Sequence, residues 1–248
     1  ASYRFLGGNE STLWFFSNLN APNGKILSLE IDDQNFKWNE LIAEKDFPIS
    51  TASIAGDKLI INYLKDTISK VQFYNLKGDF LEELDFEGQG SLSGFNGKLG
   101  NSISYFEFSN FTSPQKIYEL NLDSLDYKLY WETKIKGLEV GTYTSKLEFY
   151  KSKDSTNIPI HIAHHKDLEI NSDTPVLLYG YGGFNISILP YFSKTFFMWI
   201  KSGGVLAIAN LRGGGEYGDS WHKQGMLLNK QNVFDDFAYA AKYLHSKN

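Results

Sequence analysis

The chain has 248 residues, of which 42% are hydrophobic, and a net charge of -5 at neutral pH. This length and apolar content can supply one large folded core or two ordinary ones. The mild negative charge, without a basic stripe, argues against nucleic acid as a partner. The absence of cysteine excludes disulfides and thiolate chemistry but leaves the cellular compartment open.

The most apolar long stretch runs from Tyr191 to Gly204 and contains Lys194 and Lys201. It falls short of the roughly 20 apolar residues that a membrane-spanning helix needs. The sequence therefore predicts no transmembrane helix and no membrane partner. The first residues include neither a starting methionine nor a signal peptide, so we expect the natural N-terminus to lie upstream.

The first half of the chain contains an internal repeat. Each copy has a short aromatic or β-branched run, a polar turn, and a second such run that begins at Lys25, Lys70 or Lys116, 45 and 46 residues apart. A period near 45 residues with three or four strands per copy is typical of β-propeller blades. Alternation with period two excludes solenoids of paired helices, whereas a β-sandwich with recurring strands is the alternative.

Propellers close with about 4 to 8 blades, and about three are present in this chain. We therefore expect further blades upstream. An incomplete arc would leave sheet faces and edges unpaired.

The pattern changes between Gly137 and Gly141. The sequence predicts late propeller blades over residues 1–138 and a second domain over residues 139–248. The predicted elements of the second domain are, in order, a β-hairpin, a strand buried on both faces, a helix, another buried strand and a final helix. This order is the opening of a doubly wound α/β domain.

The final helix is predicted to bury one apolar face and to carry two acidic residues in its first turn. That face comprises Phe234, Phe237, Ala238, Ala241 and Leu244. Asp235 and Asp236 would then stabilise the helix through its dipole, and we prefer this interpretation to a pair of catalytic acids.

The segment Gly213 to Gly218, "GGGEYG", fits the G-x-G-x-x-G pattern of dinucleotide-binding loops and follows a predicted strand. Two features weaken that interpretation. Arg212 and Glu216 add charge to the loop, and no strand separates it from Asp235 and Asp236, whereas the ribose-binding acid belongs at the end of the next strand. A nicotinamide-dependent enzyme remains one alternative, and NAD would then quench the fluorescence of Trp221.

The histidines give little sign of a metal site. Strand alternation places His161 and His165 on one face and His164 on the other, with no further ligand at a suitable spacing. We interpret these histidines as a solvated strand end. His222 and His245 are isolated, and a lone histidine is by default hydrogen-bonded or exposed. The sequence predicts no metal and no cofactor.

A serine hydrolase with this order of elements needs a G-x-S-x-G nucleophile elbow between a strand and a helix, and the chain contains none. "GQGSLSG" comes near, but Ser91 and Ser93 have the wrong spacing and lie in the repeat half. We expect the nucleophile about 10 to 15 residues beyond Asn248.

Six segments spread over nearly the whole chain form a distinctive set. They are "YRFLGGNEST", "FTSPQKIYELNL", "YKSKDSTNIPI", "LLYGYGGFNISILPYFS", "GGVLAIANLRGGGEYGDSWHKQG" and "NKQNVFDDFAYAAKYL". Together they closely resemble the prolyl oligopeptidase family, serine peptidases with a seven-bladed propeller over an α/β-hydrolase domain. Related oligopeptidases share the Arg-Gly-Gly-Gly-Glu loop, but "YGYGGFN" is closest to the prolyl-specific branch. The resemblance therefore implies a partial propeller followed by the first half of an α/β-hydrolase domain.

The resemblance implies cleavage of short peptides after proline by a Ser, Asp, His triad, with the propeller admitting oligopeptides and excluding folded proteins. By this resemblance Tyr181 donates its hydroxyl to the oxyanion hole and Phe184 lines the proline pocket. The residues alone would favour a buried Tyr181 bonded to a backbone carbonyl and a Phe184 that is simply core. All three triad positions are expected beyond Asn248, so the chain alone should be inactive.

The resemblance also implies a monomer that acts on proline-containing oligopeptides in the cytoplasm, with the periplasm as a second compartment. Two alternatives remain beside the nicotinamide enzyme. One is a non-enzymatic propeller scaffold with a degenerate hydrolase domain, and the other is a related oligopeptidase that prefers basic residues or removes dipeptides.

Overall fold

The computed structural model describes residues 1–31, 36–139 and 141–247. The chain forms two compact units, and each is described by itself. Unit 1 comprises Ala1–Phe108 and Lys116–Trp131, and unit 2 comprises Ser109–Gln115 and Glu132–Asn248. The change of pattern between Gly137 and Gly141 includes Val140, which lies outside the described residues.

Unit 1 consists of three sheets, each with four strands in chain order. The first holds β1 (Tyr3–Gly8), β2 (Thr12–Ser17), β3 (Lys25–Ile31) and β4 (Phe36–Ile42); the second holds β5 (Ile49–Ala55), β6 (Lys58–Lys65), β7 (Ile68–Asn75) and β8 (Phe80–Glu83); the third holds β9 (Ser91–Asn96), β10 (Ile103–Ser109), β11 (Lys116–Asn121) and β12 (Tyr127–Glu132). These are the repeated blades, so the predicted partial propeller is confirmed. The repeat had not revealed the first strand of each blade, because β1, β5 and β9 are less aromatic than their neighbours.

Apolar cores form between consecutive blades of unit 1. The first and second blades share a core that includes Trp14, Ile26, Leu59 and Tyr63. The second and third share another, built on aromatic rings around Phe106. Phe106 is 1% exposed, and its ring centroid lies 4.9 Å from that of Phe95.

The outer faces of the first and third blades expose aromatic side chains. On the first blade Tyr3, Phe5 and Trp38 are 51%, 58% and 48% exposed. On the third blade Tyr105 and Tyr130 are 43% and 62% exposed, and their rings pack 5.1 Å apart. Within the described residues these faces are not covered, as expected for an incomplete arc.

Unit 2 is an α/β arrangement on a four-stranded sheet of order β13-β14-β16-β15. Its elements are β13 (Tyr143–Lys151), β14 (Asn157–His165), β15 (Val176–Gly180), α1 (Lys194–Lys201), β16 (Val205–Ala209), α2 (Gly218–Lys223), a 3-10 turn (Leu227–Asn229) and α3 (Gln231–Ser246). β13 and β14 form the predicted antiparallel hairpin, and β15 runs parallel to β16. The predicted order of hairpin, strand, helix, strand and final helix is confirmed, with α2 and the 3-10 turn between β16 and α3.

The prediction that β15 is buried on both faces is wrong for this chain. β15 lies at the edge of the four-stranded sheet, where Val176 and Tyr179 are 42% and 37% exposed. β16 is buried along its whole length, because Val205, Ala207 and Ala209 pack in one apolar core and Leu206 and Ile208 pack in another. An apolar run indicates that a strand is suited to burial on both faces, but the elements packed against those faces decide whether both are covered.

The predicted apolar face of α3 is correct only at Leu244, which is partly buried against the core. The buried residues of the helix are Val233, Asp236 and Ala240, whereas Phe234 and Phe237 are 58% and 37% exposed. The helix begins at Gln231, so its first turn contains no acidic residue and Asp235 and Asp236 do not cap it. A buried aspartate defines the inner face here, which a search for apolar periodicity does not recognise.

In the part of the chain that the structure describes, no helix combines the length and the apolar character that a membrane crossing requires.

Candidate active-site loop

Two glycine-containing loops begin at the carboxyl ends of neighbouring strands in the unit 2 sheet. β15 and β16 are parallel neighbours, so their carboxyl ends lie side by side. Tyr181 directly follows β15, and Arg212 follows β16 after two residues. Ligand sites of open α/β sheets lie outside these strand ends. We call residues 181–187 the tyrosine loop and residues 212–216 the glycine loop.

The two loops pack backbone against backbone. A Cβ built on Gly213 would lie 2.7 Å from the carbonyl oxygen of Gly182, and one on Gly215 would lie 2.8 Å from that of Asn185. Gly182 has φ +59, and a Cβ there would lie 2.5 Å from Val233 Cγ1. Contacts this short leave room only for hydrogen, so both loops require glycine. In the described structure the G-x-G-x-x-G glycines thus serve loop packing, and no strand lies between them and Asp235.

Side chains from α2 and from the start of α3 anchor the tyrosine loop. The Lys230 Nζ donates to the carbonyl oxygen of Gly182 at 2.8 Å. The N–H of Asn185 donates to the Gly213 carbonyl oxygen at 3.1 Å and lies 3.1 Å from His222 Nδ1, which is itself 2.7 Å from that carbonyl oxygen. His222 is therefore hydrogen-bonded, in line with the default for a lone histidine.

A third anchor holds the segment just beyond the tyrosine loop. Glu216 Oε1 accepts from the N–H of Ile188 at 2.9 Å, and Asn210 Nδ2 donates to the carbonyl oxygen of Ile188 at 2.6 Å. Glu216 is 1% exposed, and burial raises the pKa of its carboxyl, although the N–H of Ile188 and the Asn210 amide partly offset that effect. Both backbone polar groups of Ile188 are thereby satisfied.

The tyrosine loop presents two aromatic side chains to solvent. Tyr181 is 43% exposed and Phe184 is 83% exposed, so the interpretations of Tyr181 as buried and of Phe184 as core are wrong. No described residue forms a hydrogen bond with the Tyr181 hydroxyl. Phe184 and Asn185 have φ values of 53° and 57°, the left-handed region that costs non-glycine residues about 1–3 kcal/mol each. Such a turn persists only because its surroundings hold it.

Arg212 is the centre of a buried charged cluster beneath the glycine loop. Its side chain is 2% exposed, and it pairs with the fully buried Asp236, with Arg212 Nη2 and Asp236 Oδ1 2.6 Å apart. Asp154 accepts from Arg212 Nη1 at 2.5 Å, and this bond lowers the pKa of Asp154 to about 2. Burial alone would lower the pKa of Arg212, but the hydrogen bonds with Asp236 and Asp154 raise it overall. Ser152 Oγ also donates to Asp236 Oδ1, and the Tyr150 hydroxyl donates to the backbone carbonyl oxygen of Asp236.

The histidines of β14 differ from the predicted solvated strand end. His161 is 4% exposed and packs 5.2 Å from the ring of Phe111, whereas His164 and His165 are half-buried. Burial lowers the pKa of His161 to about 4. The described residues contain no cluster of acidic, histidine or cysteine side chains suited to a metal ion.

The sequence pattern did not reveal the roles of Asp236, Lys230 and His222. Each contact joins residues far apart in the chain: Asp236 meets Arg212 24 positions away, His222 meets Asn185 37 away and Lys230 meets Gly182 48 away. A charged residue on the otherwise apolar side of α3 was the one available signal. Ser91 and Ser93, considered as a near match to a nucleophile elbow, lie in β9 of the third blade.

The three four-stranded sheets of unit 1 define part of a β-propeller. The sheet of unit 2, with the solvent-facing tyrosine loop at the carboxyl end of β15, defines the opening of an α/β-hydrolase domain. Residues 1–133 match the family described as "Prolyl oligopeptidase, N-terminal beta-propeller domain", and residues 190–248 match the "Prolyl oligopeptidase family". The chain belongs to the prolyl oligopeptidase family.

Individual relatives agree with this assignment. The chain is 36% identical over 234 residues to the prolyl endopeptidase of Elizabethkingia meningoseptica, covering 94% of this chain and 33% of that protein. It is 35% identical over 262 residues to the prolyl endopeptidase of Dictyostelium discoideum, covering all of this chain and 34% of that protein. The chain thus spans about a third of the length of the curated relatives it matches.

Solved structures show the same similarity. A structure from a mechanistic study of two prolyl endopeptidases matches with a TM-score of 0.92 and 35% identity, covering 98% of this chain and 36% of that one. Prolyl oligopeptidase B from Galerina marginata, bound to a 35mer hydrolysis and macrocyclization substrate, matches with a TM-score of 0.92 and 28% identity, covering 98% and 35%.

Proposed function

We propose that the protein containing this chain is a serine-type endopeptidase that cleaves short peptides on the carboxyl side of proline. Family membership and relatives named prolyl endopeptidase support this proposal. The single observation that links the proposal to a residue is the position of Tyr181. It faces solvent at the carboxyl end of β15, and its hydroxyl has no hydrogen-bond partner among the described residues.

In this proposal the Tyr181 hydroxyl donates a hydrogen bond to the oxyanion that forms when the scissile carbonyl is attacked. In α/β-hydrolases the loop after this strand supplies such donors. A donor held in place beforehand stabilises the transition state because it need not reorganise as charge develops. The anchors on Gly182, Asn185 and Ile188 provide that rigidity.

Phe184 is proposed to form an apolar wall for the pyrrolidine ring of proline. Its side chain is 83% exposed on the same loop, so its face is open to a ligand. The serine, aspartate and histidine of the triad are proposed to lie outside this chain, with the propeller filtering substrates by size. We further propose a monomeric protein of the cytoplasm, with the periplasm as the alternative.

The proposal is tested with a Gly-Pro reporter substrate and Tyr181→Phe in the full-length enzyme. We expect kcat to fall about 10²- to 10³-fold, because one oxyanion donor is lost, while KM changes by less than about threefold. Tyr179→Phe is the matched control, since Tyr179 is a half-exposed tyrosine of the preceding strand β15 and packs on Phe196, and kcat should stay within about twofold. The 248-residue chain alone should not turn over the reporter.

An unchanged kcat in Tyr181→Phe would remove the proposed role of Tyr181. Absence of proline-specific cleavage by the full-length protein would remove the proposed activity, and robust turnover by the 248-residue chain would contradict the proposed position of the triad.

A further inference from the structure

Lys230 lies at the junction of the 3-10 turn and α3 and has helical backbone angles. It immediately precedes α3 as its N-cap residue, and its side chain makes no capping hydrogen bond. Serine, threonine, aspartate and asparagine are preferred there, and a positive charge at the N-terminus of a helix opposes the helix dipole. A residue that breaks a local rule in this way is expected to have a tertiary role.

The tertiary contact of Lys230 is with the backbone of the tyrosine loop. Its ammonium donates to the carbonyl oxygen of Gly182 at 2.8 Å, a charge-assisted hydrogen bond. Gly182 is the residue directly after Tyr181, and it is buried with a left-handed φ of 59°. The bond therefore restrains the Gly182–Gly183 peptide group, the second one beyond Tyr181.

The ammonium and the Tyr181 ring also lie close to the same glycine. Lys230 Nζ is 3.7 Å and Tyr181 Cε1 is 3.9 Å from the point where a Cβ on Gly183 would lie. Movement of the Gly182 carbonyl away from Lys230 would thus shift the backbone on which the phenol ring rests. No hydrogen bond from the described residues holds the Tyr181 hydroxyl, so its position depends strongly on this backbone.

We propose that Lys230 is a positioning residue for Tyr181, acting through the carbonyl oxygen of Gly182. The inference rests on the proposed function, in which the Tyr181 hydroxyl stabilises the oxyanion. A donor displaced by a fraction of an ångström loses much of its effect on the transition state while leaving ground-state binding nearly unchanged. Lys230 does not itself touch the substrate in this account.

The test uses Lys230→Met in the full-length enzyme with the Gly-Pro reporter. We expect kcat to fall about tenfold, with KM within about threefold, because only transition-state stabilisation is impaired. The melting temperature should fall by only a few degrees, because the lost hydrogen bond to the Gly182 carbonyl is partly offset by removal of a charge that opposes the helix dipole. A purely structural role would lower the melting temperature while leaving kcat unchanged.

Two further variants make the result specific. Lys230→Arg keeps a charged donor and should retain more of the kcat than Lys230→Met does. Lys223→Met is the matched control, because Lys223 is an exposed lysine of the neighbouring helix that pairs with Asp219 at 2.6 Å, and it should leave kcat unchanged.

The decisive measurement is the double variant Tyr181→Phe, Lys230→Met. If Lys230 acts through Tyr181, adding Lys230→Met to Tyr181→Phe should lower kcat by less than about twofold further. Two outcomes would overturn the positioning role and leave the proposed function intact, provided that Tyr181→Phe alone lowers kcat strongly. In the first, Lys230→Met leaves kcat unchanged. In the second, the fold-decrease of kcat in the double variant equals the product of the two single-variant decreases. An unchanged kcat in Tyr181→Phe alone would overturn both.

Discussion

The two units of the chain bury different kinds of side chain. Unit 1 joins its blades through apolar and aromatic cores. Among its described residues the one buried side chain that carries a charge is Lys58, which forms an ion pair with the exposed Asp57. Unit 2 has apolar cores as well, but beneath the candidate site it buries Arg212, Asp236 and Glu216. Apolar contacts are non-directional, whereas buried charges need specific partners.

This difference has a functional reason in unit 2. The glycines at which the two loops meet have no side chains with which to pack, so hydrogen bonds to backbone groups hold the loops. Charged donors and acceptors give such bonds both direction and strength. We therefore expect unit 1 to tolerate conservative substitutions in its core and unit 2 to respond strongly to the loss of single polar atoms.

The largest effect is expected from Asp236→Asn. The substitution leaves Arg212 buried and without its full counter-charge, which should lower the free energy of unfolding by about 3–5 kcal/mol. Urea denaturation of the purified protein measures the change. Asp235→Asn is the control on the same helix: its pair with Lys153 at 3.4 Å is at the surface, so about 1 kcal/mol or less is expected. Equal costs for the two variants would contradict the importance of the buried pair.

A smaller effect is expected from acidification, through His161. Burial lowers the pKa of His161 to about 4, so the folded state binds fewer protons than the unfolded state below the unfolded pKa of about 6.5. Stability is therefore fully present above that value and is lost as the pH falls toward 4, by about 2–3 kcal/mol in total.

Urea midpoints measured between pH 7 and pH 4.5 would show this loss. The Asp154 carboxyl, with a pKa of about 2, loses its contribution only between about pH 4 and pH 2, so the two windows are separate. His161→Gln should flatten the profile between pH 7 and pH 4.5, and a variant that keeps the full slope would exclude His161 as its source.

The smallest effect is expected in unit 1, from Phe106→Leu. Leucine keeps the site apolar and leaves only a small cavity among the surrounding rings, so the free energy of unfolding should fall by about 1–2 kcal/mol. Phe80→Leu, at a ring that is 55% exposed, should cost about 0.5 kcal/mol or less. If Phe106→Leu cost as much as Asp236→Asn, the contrast between the units would fail.

Local and periodic features could be predicted well. The blade repeat, the hairpin and the strand–helix–strand order of unit 2 follow from alternation and turn residues, which act over a few positions. The tyrosine loop was identified because its glycines interrupt an apolar strand, and Tyr181 and Phe184 were assigned by resemblance. The face of α3 and the position of His161 were missed, because burial of a polar side chain depends on partners elsewhere in the chain.

The sequence by itself determined the repeat, the succession of elements, the family and the loop that carries Tyr181, because each is encoded in contiguous residues. Only the tertiary structure decided that β15 lies at a sheet edge, that Asp236 neutralises Arg212 and that Lys230 reaches Gly182. These contacts join residues distant in the chain, and their energies depend on burial and on distances of a few ångströms. Neither quantity is present in a linear pattern.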